Sequence, residues 1–434
     1  MSIARHSLFN LVGLAAPLVV ALFTIPMLIR ELGEARFGLL TLLWAVVSYF
    51  GLFDLGLGRA LTQQIAVALS KQRERSVGPL VATAIGVMSA LGLLAGALMA
   101  WAAPSAVSLV RGVQDPQEVV RAVDMLALAM PAIVLTSAFR GVMEARHAFG
   151  AINLIRVPMG LFTFVAPLIV VYWLGPRLDW IAAVLSGGRV IACVAHGLLA
   201  RRSLPVECRN WRFDAELLKP LCTSGGWLTL SNVISPFMGY VDRFVIGALV
   251  SATAVAYYAT PNEIVTKLWI VPGALTAVLF PTFAAQLTRS AGEVQALFKQ
   301  AVRWLFWILL PVTAALAVFA HQLLDAWVGA EFAHQSAPLL QVFAFGMLFN
   351  CMAHVPFTLI QSTGAARMTA LIHAAELPFF VLALWLLTAQ FGLIGAALAW
   401  LLRIVADTVL MFTLCFRLLD WPASSFFGRK AAAL

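Results

Sequence analysis

Apolar stretches long enough to cross a bilayer recur along almost the whole chain, separated by short polar connections. A membrane-spanning helix needs about 20 mainly apolar residues, because each residue adds about 1.5 Å and the hydrocarbon core is about 30 Å thick. Such stretches occupy residues 8–29, 37–58, 77–101, 123–141, 157–174 and 180–199. After a longer polar connection they resume at 227–250, 264–287, 302–320, 339–360, 368–389 and 392–416. Lipid offers no hydrogen-bond partners, so each crossing segment must satisfy its own backbone, which an α-helix does. The expected fold class is therefore all-α, a polytopic membrane protein with about 12 transmembrane helices. The first stretch is followed by no small-residue cleavage site and is expected to be a retained helix rather than a removed signal peptide.

Composition agrees. Hydrophobic residues make up 62% of the 434 and charged residues 11%, with a mean hydropathy of +0.93. A soluble domain carries roughly a quarter of its residues as charges. The net charge of +9 does not point to nucleic acid, because the basic residues are scattered singly and form no stripe interleaved with aromatics. Cys193, Cys208, Cys222, Cys351 and Cys415 show no C-x-x-C pair and no zinc spacing, so they read as small apolar filler. No metal and no cofactor is implied.

Orientation follows from the excess of Lys and Arg in cytoplasmic loops. With the N-terminus inside, only Arg30, Arg36, Arg111, Arg121 and Arg177 fall outside. Arg189, Arg243, Lys267 and Arg403 lie within spans, and the rest of the 29 basic residues fall on the inner side. Both termini are expected to be cytoplasmic. The outer connections are short, and residues 175–179 form little more than a turn.

The longest polar connection suggests a division into a six-helix lobe (1–203), a cytoplasmic connection (204–226) and a second six-helix lobe (227–434). Short words recur across it: Gly188-Arg189-Val190-Ile191-Ala192 in the sixth span matches Leu402-Arg403-Ile404-Val405-Ala406 in the twelfth. Equal span numbers give both halves the same topology, related by an axis along the membrane normal, as in transporters that rock two bundles about a central site.

Ionisable residues at bilayer depth cost a few kcal/mol each and normally face a cavity or a partner. Arg189 and Arg403 sit near the middle of their spans. Arg403 has Asp407 one turn on, whereas Arg189 has no local acid. Arg189 is thus open to two readings, a cavity-facing ligand for phosphate oxygens or a packing residue paired with an acid from another helix. Asp242-Arg243 in the seventh span and Glu263 with Lys267 in the eighth lie at comparable depth on neighbouring helices, as a cavity lining or as a closed ion-pair network. Glu376 and His373 could relay protons. Asp242, Glu263, Glu376 and Asp407 are the candidates for coupling to a proton or sodium gradient. Asp54 reads as structural, and Pro17, Pro26, Pro236, Pro272, Pro281 and Pro378 suggest kinked helices.

The words Leu39-Leu40-Thr41, Asp54-Leu55-Gly56-Leu57-Gly58-Arg59, Tyr240-Val241-Asp242-Arg243-Phe244, Tyr257-Tyr258-Ala259-Thr260-Pro261 and Phe280-Pro281 occur in this order. With them the chain resembles the polysaccharide-transport branch of the exporter superfamily that also contains multidrug and toxin extrusion proteins. The resemblance implies two six-helix lobes around a central cavity with basic lining, and a flippase for polyprenyl-pyrophosphate-linked oligosaccharides such as O-antigen units. It extends as an expectation to substrate contacts by Arg189, Arg243, Lys267 and Arg403. The first span lacks the acid typical of multidrug members, which favours an anionic headgroup over a cationic drug.

Three readings therefore compete. The leading one is a lipid-linked glycan flippase working by alternating access in surface polysaccharide biosynthesis, with membrane lipids and other polysaccharide-assembly proteins as its partners. The second is a multidrug or small-metabolite exporter. The third, a membrane-embedded polysaccharide polymerase or ligase, would need outer-face mass that the short loops do not supply, so no enzyme is expected. No G-x-x-x-x-G-K-[ST] loop is present, which counts against direct ATP drive.

Overall fold

A computed structural model describes residues 3–50, 56–71, 76–209, 211–218, 226–287 and 291–421. The sequence readings placed on Asp54, Arg73, Arg75, Lys219, Cys222, Arg289, Arg429 and Lys430 lie outside these residues. The described part is helical throughout, with no strand among the described residues. The elements are α1 (Ile3–Leu32), α2 (Glu34–Phe50), α3 (Leu57–Ser70), α4 (Val77–Leu109), α5 (Pro116–Ala145), α6 (Phe149–Leu174) and α7 (Leu178–Ser203). There follow α8 (Gly226–Leu249), α9 (Ala252–Thr266), α10 (Ile270–Gln286), α11 (Ala291–Val318), α12 (Ala320–Val328), α13 (Ala330–Ser362) and α14 (Ala366–Leu418). Among the described residues, 8 helical segments are long and apolar enough to cross a membrane. The chain is an all-α, multi-pass membrane protein.

The helices outrun the hydrophobic stretches. α5 extends to Ala145 and α6 begins at Phe149, so residues expected in a loop are helical. The last crossing segment holds both final predicted spans, separated at Gly392, whose φ of 58° only glycine adopts without strain. Between α9 and α10 the predicted eighth span is broken by a 3-10 turn at Lys267–Trp269. The chain stays helical through Pro17, Pro26, Pro281 and Pro378. Two short helices were not expected, α3 and α12. In α3, Leu57, Leu61 and Ile65 repeat every four residues and are buried, one apolar face on an otherwise polar segment.

The described chain divides into two compact units. Unit 1 comprises residues 1–240 and 251–256. Its centre is α5, packed against α4 on one side and α7 on another, with α6 on α7 and α1 on α6. α4 approaches α5 through Gly92 and Gly96, spaced as in the close-packing motif of membrane helices. A Cβ on Gly96 would stand 2.5 Å from the Ala127 carbonyl oxygen. Leu61, Ile65, Val81, Met88, Val134, Val142 and Met143 fill the adjoining core. α5 starts at a built cap, with Pro116 in the first turn and the Asp115 carboxylate accepting from the Glu118 N–H at 3.1 Å.

Unit 2 comprises residues 241–250 and 257–434. Its centre is α13, packed against α10, α11, α12 and α14. In its most apolar window 72% of residues are buried, the highest share of any crossing segment. Tyr258, Phe343 and Trp400 form an edge-to-face aromatic run with centroids about 5 Å apart.

Candidate functional site

A cavity of about 280 Å³ opens inside unit 1. α5 lines it with Ile133, Thr136, Ser137 and Arg140, α6 with Ile152, Arg156, Met159, Gly160 and Thr163, and α7 with Arg189, Ala192 and His196. These positions recur at three- and four-residue steps, which stack side chains on one face of each helix. Three cations therefore meet in one space. The Arg140 Nε lies 3.3 Å from the Glu144 carboxylate on the same helix. Arg156 and Arg189 have no ion pair or hydrogen bond among the described residues.

The neutral groups of the cavity leave the donor role to those arginines. Thr136 and Thr163 give their hydroxyl protons to the backbone carbonyls of Ala132 and Met159, each at 2.8 Å. The buried His196 approaches the Ala192 carbonyl with Nδ1 at 2.8 Å. A carbonyl only accepts, so Nδ1 carries the proton and Nε2 of the neutral ring is an acceptor. Guanidinium groups bind the oxygens of an anion in pairs.

The interior charges of unit 2 are arranged differently. Arg243 on α8 reaches Glu263 on α9 through Nη2 to Oε1 at 2.9 Å, and the other Glu263 oxygen receives Lys267 Nζ at 2.8 Å. Asp242 turns away from this chain of pairs. Its oxygens accept from the Arg243 backbone N–H and from the Tyr258 hydroxyl, both at 2.8 Å. Asp242 and Arg243 are buried, at 2% and 3% exposure. Of the two readings offered by the sequence, the geometry is an ion-pair network linking α8 to α9, with Lys267 at its half-exposed edge.

Further along α14, the expected turn-apart pairing of Arg403 with Asp407 gives way to a tertiary contact. Asp407 Oδ1 lies 3.3 Å from His373 Nε2, near enough for an ion pair but not aligned as a hydrogen bond. The Arg403 guanidinium sits 5.3 Å from the Phe380 ring centroid, and its charge acts on Asp242, Tyr258 and Glu376. Ligand atoms of His373, Glu376 and Asp407 all lie within 4.8 Å of one another.

Sequence reasoning singled out Arg189, Arg243, Lys267, Arg403, Asp242, Glu263, Glu376 and Asp407. The structure puts Arg189 in the unit 1 cavity and the other seven in unit 2. It adds Arg140, Arg156 and His196 to the cavity, and Tyr258 and His354 to the unit 2 charges. The signal for His196 was a shared helical register, two turns beyond Arg189.

Comparison with known proteins supplies the context. The family described as "Polysaccharide biosynthesis protein" matches residues 4–286. A Shigella flexneri protein named "Putative O-antigen transporter" is 30% identical over 413 residues, covering 95% of this chain and 97% of that one. Among solved structures, an inward-facing multidrug resistance MATE transporter of the MOP superfamily superposes with a TM-score of 0.80 at 15% identity. The match spans 97% of this chain and 99% of that one. A Pyrococcus furiosus MOP transporter, described as having a binding pocket of reversed polarity, gives 0.66 at 16% identity, over 98% and 96% of the two chains. At these identities the structural likeness concerns the fold.

Proposed function

The chain belongs to the polysaccharide biosynthesis family, and we propose that it is a flippase that moves a polyprenyl-pyrophosphate-linked oligosaccharide across the cytoplasmic membrane for surface polysaccharide assembly. The observation that carries this reading is the unit 1 cavity, where Arg189 and Arg156 face open space without an acid among the described residues. Arg156 is exposed and Arg189 half-buried, and for Arg189 the missing counter-ion is costly in a low-dielectric interior. A pyrophosphate supplies that counter-ion during transport. Charge in hydrocarbon is the barrier to unassisted flipping, and a polar cavity that encloses the head while the polyprenyl tail stays in lipid removes it.

In this reading the protein is a transporter and not an enzyme, with both termini in the cytoplasm of a bacterial inner membrane. Two six-helix lobes, at 1–203 and 227–434 with the connection between them, alternate between inward- and outward-open states. Arg189 makes the central contact with the headgroup, while Arg140 and Arg156 receive it nearer the loop. Arg243 and Lys267 are held by Glu263 within unit 2, and coupling to a proton or sodium gradient falls to the interior acids of that unit, Glu376 first among them. A cationic drug is the weaker alternative, because the cavity offers it arginines rather than carboxylates.

The test is export in a strain that depends on this protein. Arg189→Ala and Arg156→Ala, present at normal level in the membrane, should leave finished lipid-linked repeat units trapped on the cytoplasmic side. Normal surface glycan in both variants would remove the headgroup role from this cavity.

A further inference from the structure

Unit 2 contains an interior carboxylate that its surroundings leave unserved. Glu376, on the first half of α14, is 9% exposed, and neither of its oxygens has a hydrogen-bond donor among the described residues. It nevertheless points into a group of titratable side chains, within 4.8 Å of ligand atoms of His373 and Asp407. His373 itself stacks on Phe357 at 17° between planes and 6.0 Å between centroids, which fixes the imidazole beside the two acids. A buried carboxylate without donors loses its hydration and gains nothing in exchange.

The charges of the unit make the deficit countable. The carboxylates facing this interior are Asp242, Glu263, Glu376 and Asp407. The cations are Arg243, Lys267 and Arg403, joined to them by the contacts and fields described above. His354, which feels Asp407, His373 and the Tyr258 hydroxyl complete the titratable groups around them. With the histidines and the tyrosine neutral, four carboxylates stand against three cations. Among these groups the carboxylates outnumber the permanent cations by one.

A divalent metal would overshoot that balance. Sodium would match it, but an alkali cation wants several oxygen ligands, whereas the third donor here is an imidazole nitrogen. We propose that the Glu376 carboxyl, held between His373 and Asp407, binds one exchangeable proton, and that its binding and release drive the transport cycle. One Glu376 oxygen takes the proton from water admitted to the site, forming the O–H bond, and returns it to water when the site opens to the other side. Asp407 stays against His373. Asp242 stays with Tyr258 and the Arg243 backbone, and Glu263 stays with Arg243 and Lys267. The proton site stands on unit 2 geometry alone, and only its link to transport rests on the flippase reading.

The experiment uses the full-length protein in lipid nanodiscs and in proteoliposomes. Infrared difference spectroscopy on a pH step should show the carbonyl stretch of a protonated carboxyl group in the wild type, shifted in heavy water. Glu376→Gln should abolish it, while Arg189→Ala should keep it even though export is lost. In proteoliposomes, flipping by the wild type should respond to an imposed pH gradient and be indifferent to sodium. Glu376→Gln should make it insensitive to the gradient. Asp407→Asn serves as a second variant should Glu376→Gln be produced poorly, and should shift the pH at which the band appears. A carboxyl band unchanged in Glu376→Gln, or flipping that needs sodium and ignores pH, would overturn the proposal. Loss of the band without any change in flipping would overturn the coupling and leave the site as a proton reservoir.

Discussion

The two units treat their interior charges in opposite ways. In unit 1 the cavity cations come from three separate helices, and two of them have no counter-ion among the described residues. In unit 2 Arg243 and Lys267 are matched by Glu263 through short contacts between α8 and the end of α9. A buried ion pair gains little over apolar packing, whereas a lone buried charge is costly. Pairing is therefore what a stable lobe needs, and the unpaired arrangement survives only where a ligand completes it. On the proposed reading, the contrast separates a unit that receives an anion from a unit whose charge changes by one proton.

The hardest test of that contrast removes one partner from unit 2. Glu263→Ala removes the carboxylate that pairs with Arg243, 3% exposed, and with Lys267. Breaking a buried pair from one side costs about 3–5 kcal/mol. Because the Glu263 side chain is 37% exposed, water screens part of the loss and places the expected value near the bottom of that range. Unfolding of the purified protein in denaturant reads it directly. A change under about 1 kcal/mol, the value of a surface pair, would mean that the network is solvated and that the contrast fails.

Unit 1 predicts the reverse pattern. Arg189→Ala should leave stability unchanged or slightly raised, since an uncompensated charge is removed. Loss of a charged hydrogen bond is worth about 1.5–3 kcal/mol, so headgroup binding should weaken by about 10–150-fold. Arg189→Lys, which keeps the charge but not the two-pronged fork, should recover part of it. Titration with a soluble polyprenyl-pyrophosphate analogue measures both variants. A marked drop in stability for Arg189→Ala would show that Arg189 is tied into the packing.

If unit 1 does not hold its interior together with ion pairs, its helices must be held by close backbone packing. Gly96→Leu tests this at the α4–α5 contact, where even a Cβ would meet the Ala127 carbonyl oxygen at 2.5 Å. Forcing added volume into a packed contact costs about 1–3 kcal/mol. The loss should appear in thermal unfolding, with a cavity still able to bind the analogue in the folded fraction.

How much of this the sequence disclosed depends on whether the cause was local. Twelve hydrophobic stretches are local, and so is a lone arginine in an apolar run, which is why Arg189 stood out. Arg140 and Arg156 did not. Arg140 stands at the very end of the stretch 123–141 and counts with the inner loop. Arg156 falls just before the next stretch and joins the cavity because α6 begins at Phe149. Asp407 shows the same limit from the other side. Its local partner is Arg403, one turn away, yet the fold sets it against His373 from the first half of α14. That pairing needs the reversal at Gly392, and one glycine among the 30 in the chain carries no mark of being the hinge. Tyr258 was read only as part of a family word, because its hydroxyl acquires a role when α9 lies beside Asp242.

Ion pairs do occur in unit 1, at the helix ends rather than inside. Glu118 at the start of α5 accepts from Arg36 of α2 at 3.1 Å and from the Leu178 backbone N–H of α7 at 2.6 Å. Asp179 gathers Arg121 and Arg177. If the comparison is right, this clasp aligns three helix starts and adds little stability. Arg36→Ala removes a one-third exposed cation, and Glu118 keeps its backbone donor from Leu178, so no buried acceptor is left bare. The expected loss is about 0.5–1 kcal/mol, smaller at high salt, read as a slight lowering of the unfolding midpoint. A loss as large as that of Glu263→Ala would place a structural ion pair in unit 1 and erase the difference between the two units.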